Sequence, residues 1–241
     1  MSDSKTDPEE FDKFIDCLPE RIVEAIEDPE IDARFIPVER MGKAPDAPNP
    51  KECNLSVEET RERIASGKNG GLYLGELLAA IDVDQDDKLT EIWPDAKKML
   101  NEGLCTETRS NGHHLILQNE DIEKGTTYGN EDGEIAGLRT GWEQILVPGS
   151  YAFDPDDGIS GLYTVFTEEP PMIAKKEDLP DELNPSNSTE LEELDIDIND
   201  PNGIDPSEIA GFDGKTVADL RESDEKLDAL CESLNPSRYS F

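Results

Sequence analysis

The segment Leu78-Ala79-Ala80-Ile81-Asp82-Val83-Asp84 constrains the fold more than any other in this chain. Its small and apolar residues form a run of strand length, the signature of a buried strand. Two carboxylates close the run, two positions apart. Alternate residues of a strand project to one face, so Asp82 and Asp84 stand side by side. Paired anionic oxygens repel unless they share a cation, and Mg²⁺ or Mn²⁺ takes such pairs in proteins that handle phosphates. The plainer alternative is a strand running into a polar loop, because chance Asp pairs are frequent in so acidic a chain. A calcium-binding loop starting at Asp82 is excluded. It requires Gly at its sixth position and Glu at its twelfth, where Asp87 and Trp93 stand.

How much chain can pack around such a strand depends on charge. The 58 acidic residues outnumber the 22 basic ones, the net charge is -36, and hydrophobic residues make up 34%. Acid spread through every segment points to work in concentrated salt, where the Debye length falls to about 3 Å and self-repulsion is screened. The excess is uneven. Over residues 35–78, six basic residues nearly balance seven acidic ones, whereas over 168–219 sixteen acids face three lysines. A charge of -36 argues against nucleic acid at low salt, but in high salt phosphate contacts are weak for any protein, so the partner class stays open. Cys17, Cys53, Cys105 and Cys231 lie far apart without metal-finger spacing, which predicts free thiols in a reducing compartment. The polar N-terminus has no signal-peptide pattern and no apolar run reaches membrane-spanning length, so a cytoplasmic protein away from membranes is expected.

The periodicities predict the following order. Residues 1–10 read as disordered. Phe11, Phe14, Ile15, Leu18, Ile22, Val23 and Ile26 recur at helical spacing around Pro19, predicting two short helices. Residues 35–38 form a short strand. Ser56 with Glu59 forms a capping box for a helix to about Ala65. Residues 67–71 read as a turn before the Asp-bearing strand, and a helix follows over 89–101. Ser110-Asn111-Gly112 separates two extended stretches and predicts a hairpin. Further strands are expected at 134–139, 144–147 and 162–166. The class is α/β or α+β with a mixed sheet. Residues 11–167 form the domain, 168–215 an acidic linker and 216–241 a C-terminal helix, read as the start of a further domain cut short.

Three blocks together resemble the archaeo-eukaryotic primase superfamily, specifically the bifunctional primase/polymerase domain, in a haloarchaeal type of composition. The first is Asn69-Gly70-Gly71-Leu72-Tyr73-Leu74-Gly75 leading into Ile81-Asp82-Val83-Asp84. The second, Thr108-Arg109-Ser110-Asn111-Gly112-His113-His114, is similar to the family's Thr-x-Ser-Gly-Gly-x-His, with Asn111 in place of one Gly. The third is Leu138-Arg139-Thr140-Gly141 with Ile145-Leu146-Val147-Pro148-Gly149-Ser150. Lys43-Ala44-Pro45 matches a Lys-x-Pro near the family's N-terminus. The likeness covers about residues 35–166.

The resemblance implies an RRM-like catalytic sheet and two-metal nucleotidyl transfer in DNA replication of a chromosome, plasmid or virus. Asp82 and Asp84 would hold Mg²⁺ or Mn²⁺. His114, Ser110, Asn111, Gly112, Arg139 and Lys43 would contact the incoming nucleoside triphosphate. Single-stranded DNA would be the template and a replication helicase a partner, with the oligomeric state open. One departure matters. The family's third carboxylate falls at Gly137, which cannot bind a metal. Glu134 is the candidate substitute. The alternative function is therefore an inactive nucleic-acid-binding or nucleotide-binding remnant.

Overall fold

The computed structural model describes residues 5–130, 133–155 and 158–185. Its axis is a strand far longer than the apolar run alone predicts, β2 (Asn69–Val83). Of the glycines that read as a turn, Gly67 does lie in one, whereas Gly70 and Gly71 lie inside this strand, where neighbours approach its backbone closely. A Cβ on Gly70 would stand 2.9 Å from Thr60 Cγ2, and one on Gly71 would stand 2.8 Å from Val38 Cγ2. Before β2 come β1 (Arg34–Val38) and the helices α1 (Pro8–Cys17), α2 (Glu20–Ile26) and α3 (Val57–Ala65). After it come α4 (Asp86–Ile92), α5 (Ala96–Glu102), β3 (Cys105–Glu107), β4 (His113–Asn119), β5 (Thr126–Asn130) and β6 (Gly133–Leu146). Four short strands follow: β7 (Tyr151–Phe153), β8 (Ser160–Leu162), β9 (Thr164–Thr167) and β10 (Met172–Ala174).

The main sheet runs β5-β6-β2-β4-β3-β9, with β1 beside β2 and β10 beside β4, while β7 and β8 form a separate pair. Its pairings are antiparallel except β10 with β4. The expected class, helices intermixed with a mixed sheet, is the one observed. The β3–β4 hairpin around Ser110-Asn111-Gly112 also forms as expected. The strands expected at 134–139 and 144–147 are one strand, β6. It bends at Gly141 opposite Gly75 of β2, and both residues take φ of +59°. Register shifts flank Gly75, so the bend acts as a bulge shared by two strands.

Alternation along β2 separates two cores. Leu72, Leu74, Leu78 and Ala80 pack with Phe11, Phe14, Ile22, Ile26 and Ile64 of α1, α2 and α3. Ala79, Ile81 and Val83 pack with Leu89, Ala96 and Leu100 of α4 and α5. The sheet is thus covered by helices on both faces. Local signals behave as chemistry requires. Ser56 Oγ accepts the Glu59 N–H at 3.2 Å while the Ser56 N–H donates to Glu59 Oε2 at 2.9 Å, completing the capping box. The helix expected over 89–101 is broken into α4 and α5 at Trp93-Pro94, because a residue before proline is driven out of helical geometry.

Both expected domain ends require correction. Thr6 Oγ1 donates to the Ile64 carbonyl at 2.6 Å and the Asp7 N–H donates to the Gly149 carbonyl at 2.9 Å. Residues 5–10 are therefore part of the packed structure. Past Thr167 the chain pairs β10 with β4, and Ala174, Leu179 and Leu183 enter the core with at most 6% exposure. Averaged composition hides these residues because three apolar side chains suffice to seat a segment. The rest of the expected linker and the C-terminal helix at 216–241 lie outside the described residues. Leu183→Ala, at a side chain with 0% exposure, is expected to cost about 2–5 kcal/mol. Denaturant unfolding in concentrated salt reads this directly; an unchanged midpoint would return the boundary to residue 167.

Candidate functional site

Asp82 lies in one row with residues of both neighbouring strands: His114 of β4 and Gly137 of β6 are its register partners. Leu78 and Ala80 on the same alternation are fully buried, whereas the Asp82 side chain is 27% exposed. The helical cover ends there and leaves the carboxylate reachable. His114 Nε2 stands 3.4 Å from Asp82 Oδ1, and its ring lies 5.9 Å from that of Tyr163. Among the described residues, His114 Nδ1 has no hydrogen-bond partner, and neither has Thr106 Oγ1 in the register position beside it on β3. His113 points the opposite way, to Asp86 at 3.2 Å and the Phe166 ring at 4.8 Å.

β2 ends at Val83, so Asp84 is the first residue beyond the strand, held by its N–H to the Ile135 carbonyl at 3.0 Å. The tip of the β3–β4 hairpin meets this strand end. A Cβ on Gly112 would stand 2.6 Å from the Val83 carbonyl oxygen, so only glycine fits there. Asn111 takes φ of +62° and Ser110 Oγ lies 3.4 Å from Thr108 Oγ1, with both Ser110 and Asn111 exposed at the tip. Lys43 is exposed on its loop, and its charge favours ionisation of both Asp82 and Asp84. That loop is anchored by buried Asn69, whose amide donates to the carbonyls of Gly42 and Tyr151 at 2.9 Å each. Ser150 hydroxyl and Gly70 backbone exchange bonds of 3.1 and 3.2 Å. The first and third sequence blocks are thereby tied together at one end of β2.

Arg139 fills the space above Gly137. Its Nη2 lies 2.7 Å from Glu134 Oε1 and 3.4 Å from Asp82 Oδ2, and its Nη1 lies 3.6 Å from Glu143 Oε1. A Cβ on Gly137 would come within 2.7 Å of Glu134 Oε1 and 2.8 Å of Arg139 Nη2. Where a third carboxylate is expected from the resemblance, a guanidinium lies instead. Glu134 does reach this side of the sheet, but it is paired with Arg139.

These charges set the protonation states. Burial opposes ionisation of Asp82, but the contact with His114 and the charges of Arg139 and Lys43 outweigh it, so its carboxyl is held below its ordinary value of 3.8. Partial desolvation at the strand end, and then the neighbouring Asp82 charge, push the Asp84 carboxyl above 3.8. Burial, with Asp82 and Asp84, likewise raises Glu134 against the pull of Arg139. A carboxyl raised in the folded state disfavours folding once ionised. Asp84→Asn is therefore expected to stabilise the metal-free protein at neutral pH by under about 1 kcal/mol at this exposed position. The gain should vanish as pH falls below 3.8, where the unfolded chain is protonated too. Melting curves at two pH values measure it; a loss of stability at neutral pH would contradict the assigned repulsion.

Among the described residues, no group of three or more His, Cys, Asp or Glu side chains is placed to hold a metal ion. The pair Asp82 and Asp84 suits one hard cation whose remaining ligands are phosphate oxygens and water. Arg139 supplies positive charge beside Asp82. Three contributors carried no sequence signal: Tyr163 against His114, Glu143 on Arg139, and Thr106 beside the histidine. The fold and site together define a mixed α/β domain with an Asp-His-Arg cluster at the end of its central strand. No protein-family model matches the sequence, and no curated protein matches it.

Proposed function

We propose that this chain handles nucleoside triphosphates as a primase/polymerase-type nucleotidyltransferase domain, with single-stranded DNA as template. The observation that carries the reading is the row Asp82–His114, with Asp84 and the hairpin tip at the same strand end. In this reading Asp82 and Asp84 hold one Mg²⁺ or Mn²⁺. The chemistry such a cation supplies is neutralisation of charge on phosphate oxygens. His114, Lys43 and Arg139 bind and orient the triphosphate, and the exposed Ser110 and Asn111 lie beside it. The RRM-like core, a role in replication and a helicase partner belong to the same proposal.

A second reading has its own observation. Arg139 over Gly137 favours a module that binds nucleotide or nucleic acid without transferring it. Primer extension with Mn²⁺ in molar KCl, paired with calorimetry of Mn²⁺ and nucleotide, separates the two. Extension establishes the transferase, and binding without extension establishes the module. Absence of both overturns the nucleotide reading altogether. Arg139→Ala removes a competing cation from Asp82, so Mn²⁺ binding should tighten by up to about 5-fold while triphosphate binding weakens. Weakened Mn²⁺ binding would show that Arg139 organises the carboxylates instead of competing at them.

A further inference from the structure

Trp142 is 42% exposed, directly after the Gly141 bend of β6. Its ring meets Tyr73 edge-on at 5.5 Å. Two cations lie over it: the Lys51 ammonium at 4.9 Å and the Arg34 guanidinium at 5.5 Å. Arg34 is fixed in place, donating to the carbonyls of Ile31, Asp32 and Lys51. Lys51 is exposed on a flexible stem. The neighbouring acids are engaged: Asp32 Oδ1 accepts the Glu76 N–H at 3.0 Å, and Glu143 Oε2 accepts the Thr140 N–H at 3.1 Å. Lys51 and Tyr73 of this patch lie within residues 35–78, where charge is nearly balanced.

A hydrogen bond links the strand of the patch to the Lys43 loop. Gln144, two residues after Trp142 and in register with Tyr73, donates its amide to the Lys43 carbonyl. Trp142 lies five positions along β6 from Gly137, the register partner of Asp82, which is at most about 17 Å. A few nucleotides of single strand span that length.

We infer that Trp142, with Lys51 and Arg34, is a stacking platform for a base of single-stranded nucleic acid whose strand runs along β6 toward Asp82. The direction of the strand rests on the nucleotide reading above; the platform does not. A base displaces the Lys51 ammonium from the indole, and the ammonium pairs with the adjoining phosphate while Arg34 stays. Stacking carries the contact because phosphate pairing loses its value in concentrated salt, whereas base–aromatic stacking keeps it. An acid-rich protein gains affinity by this route without a basic groove.

The chain has two tryptophans, and Trp93 is 7% exposed, so a Trp93→Phe chain reports on Trp142 alone. Titrating this full-length variant with oligo(dT) in molar KCl should quench its emission. Anisotropy of a labelled oligo(dT) should show binding weakened about 5- to 150-fold in Trp142→Ala, the range stacking supplies, and largely restored in Trp142→Phe. Circular dichroism checks that each variant folds. Unquenched emission, or wild-type binding by Trp142→Ala, overturns the platform, as does quenching by a protein partner with none by oligo(dT). If wild type then fails to extend primers while Trp142 is quenched, the platform stands and the transferase reading falls. If Trp142→Ala binds and extends like wild type, the reverse holds.

Discussion

Asp82→Asn should weaken Mn²⁺ and Mn²⁺-nucleotide binding by about 100-fold or more. Substituting a residue that merely orients a metal ligand typically costs 10- to 100-fold, and here the ligand itself loses its charge. Asp82 is the better placed of the pair because it is set within β2 between His114 and Gly137 of the neighbouring strands. Asp84 is exposed beyond the strand end, so Asp84→Asn should weaken binding less. The asymmetry is the informative part. Asp82→Asn also leaves Arg139 with Glu134 and Glu143 and takes the carboxylate from His114, so a modest fall in melting temperature should accompany it. Calorimetry of both variants in molar KCl reads the order. Equal binding by Asp82→Asn and wild type would remove the cation from the proposed function.

A large stability effect is expected at the bend. Gly75 has φ of +59°, and a Cβ there would run into Asp32 Oδ1 and the Ala33 backbone nitrogen. Left-handed backbone alone costs an alanine about 1–2 kcal/mol. The collision adds to it, since the Ala33 backbone cannot swing away and Asp32 is already bonded to the Glu76 N–H. A total of about 3 kcal/mol or more corresponds to a melting temperature roughly 6–12 °C lower for a domain of this size. Gly141 supplies the control. It has the same φ of +59° with nothing within 4 Å of its Cβ position, so Gly141→Ala should show the backbone cost alone. Equal losses in the two variants would mean that the contact with Asp32 and Ala33 carries no weight.

Local chemistry was legible wherever a few adjacent residues decide the outcome. The Ser56–Glu59 box, the break at Pro19, the turn at Ser110-Asn111-Gly112 and the apolar run before Asp82 each act within one or two turns of chain. Their hydrogen bonds and steric limits are satisfied locally, and the structure reproduces them. The same holds for placing His114 on a strand beside Asp82, since the hairpin turn sets which residues its strands can offer.

Other features depended on partners distant in sequence. Nothing near Gly70 or Gly71 announces that α3 and β1 press on them, so these two glycines read as a turn although they lie in β2. Nothing near Leu183 tells that it caps the core beneath α4 and α5, because burial is a property of what surrounds a residue. The clearest case is Gly137. Its position opposite Asp82 was countable from the third block, but the guanidinium that fills the space was not. Arg139 reaches there because Glu134, Asp82 and Glu143 converge on it from a bent pair of strands, and only the tertiary fold brings those three acids together. Charge at the site is decided by that convergence, which the linear order of residues does not contain.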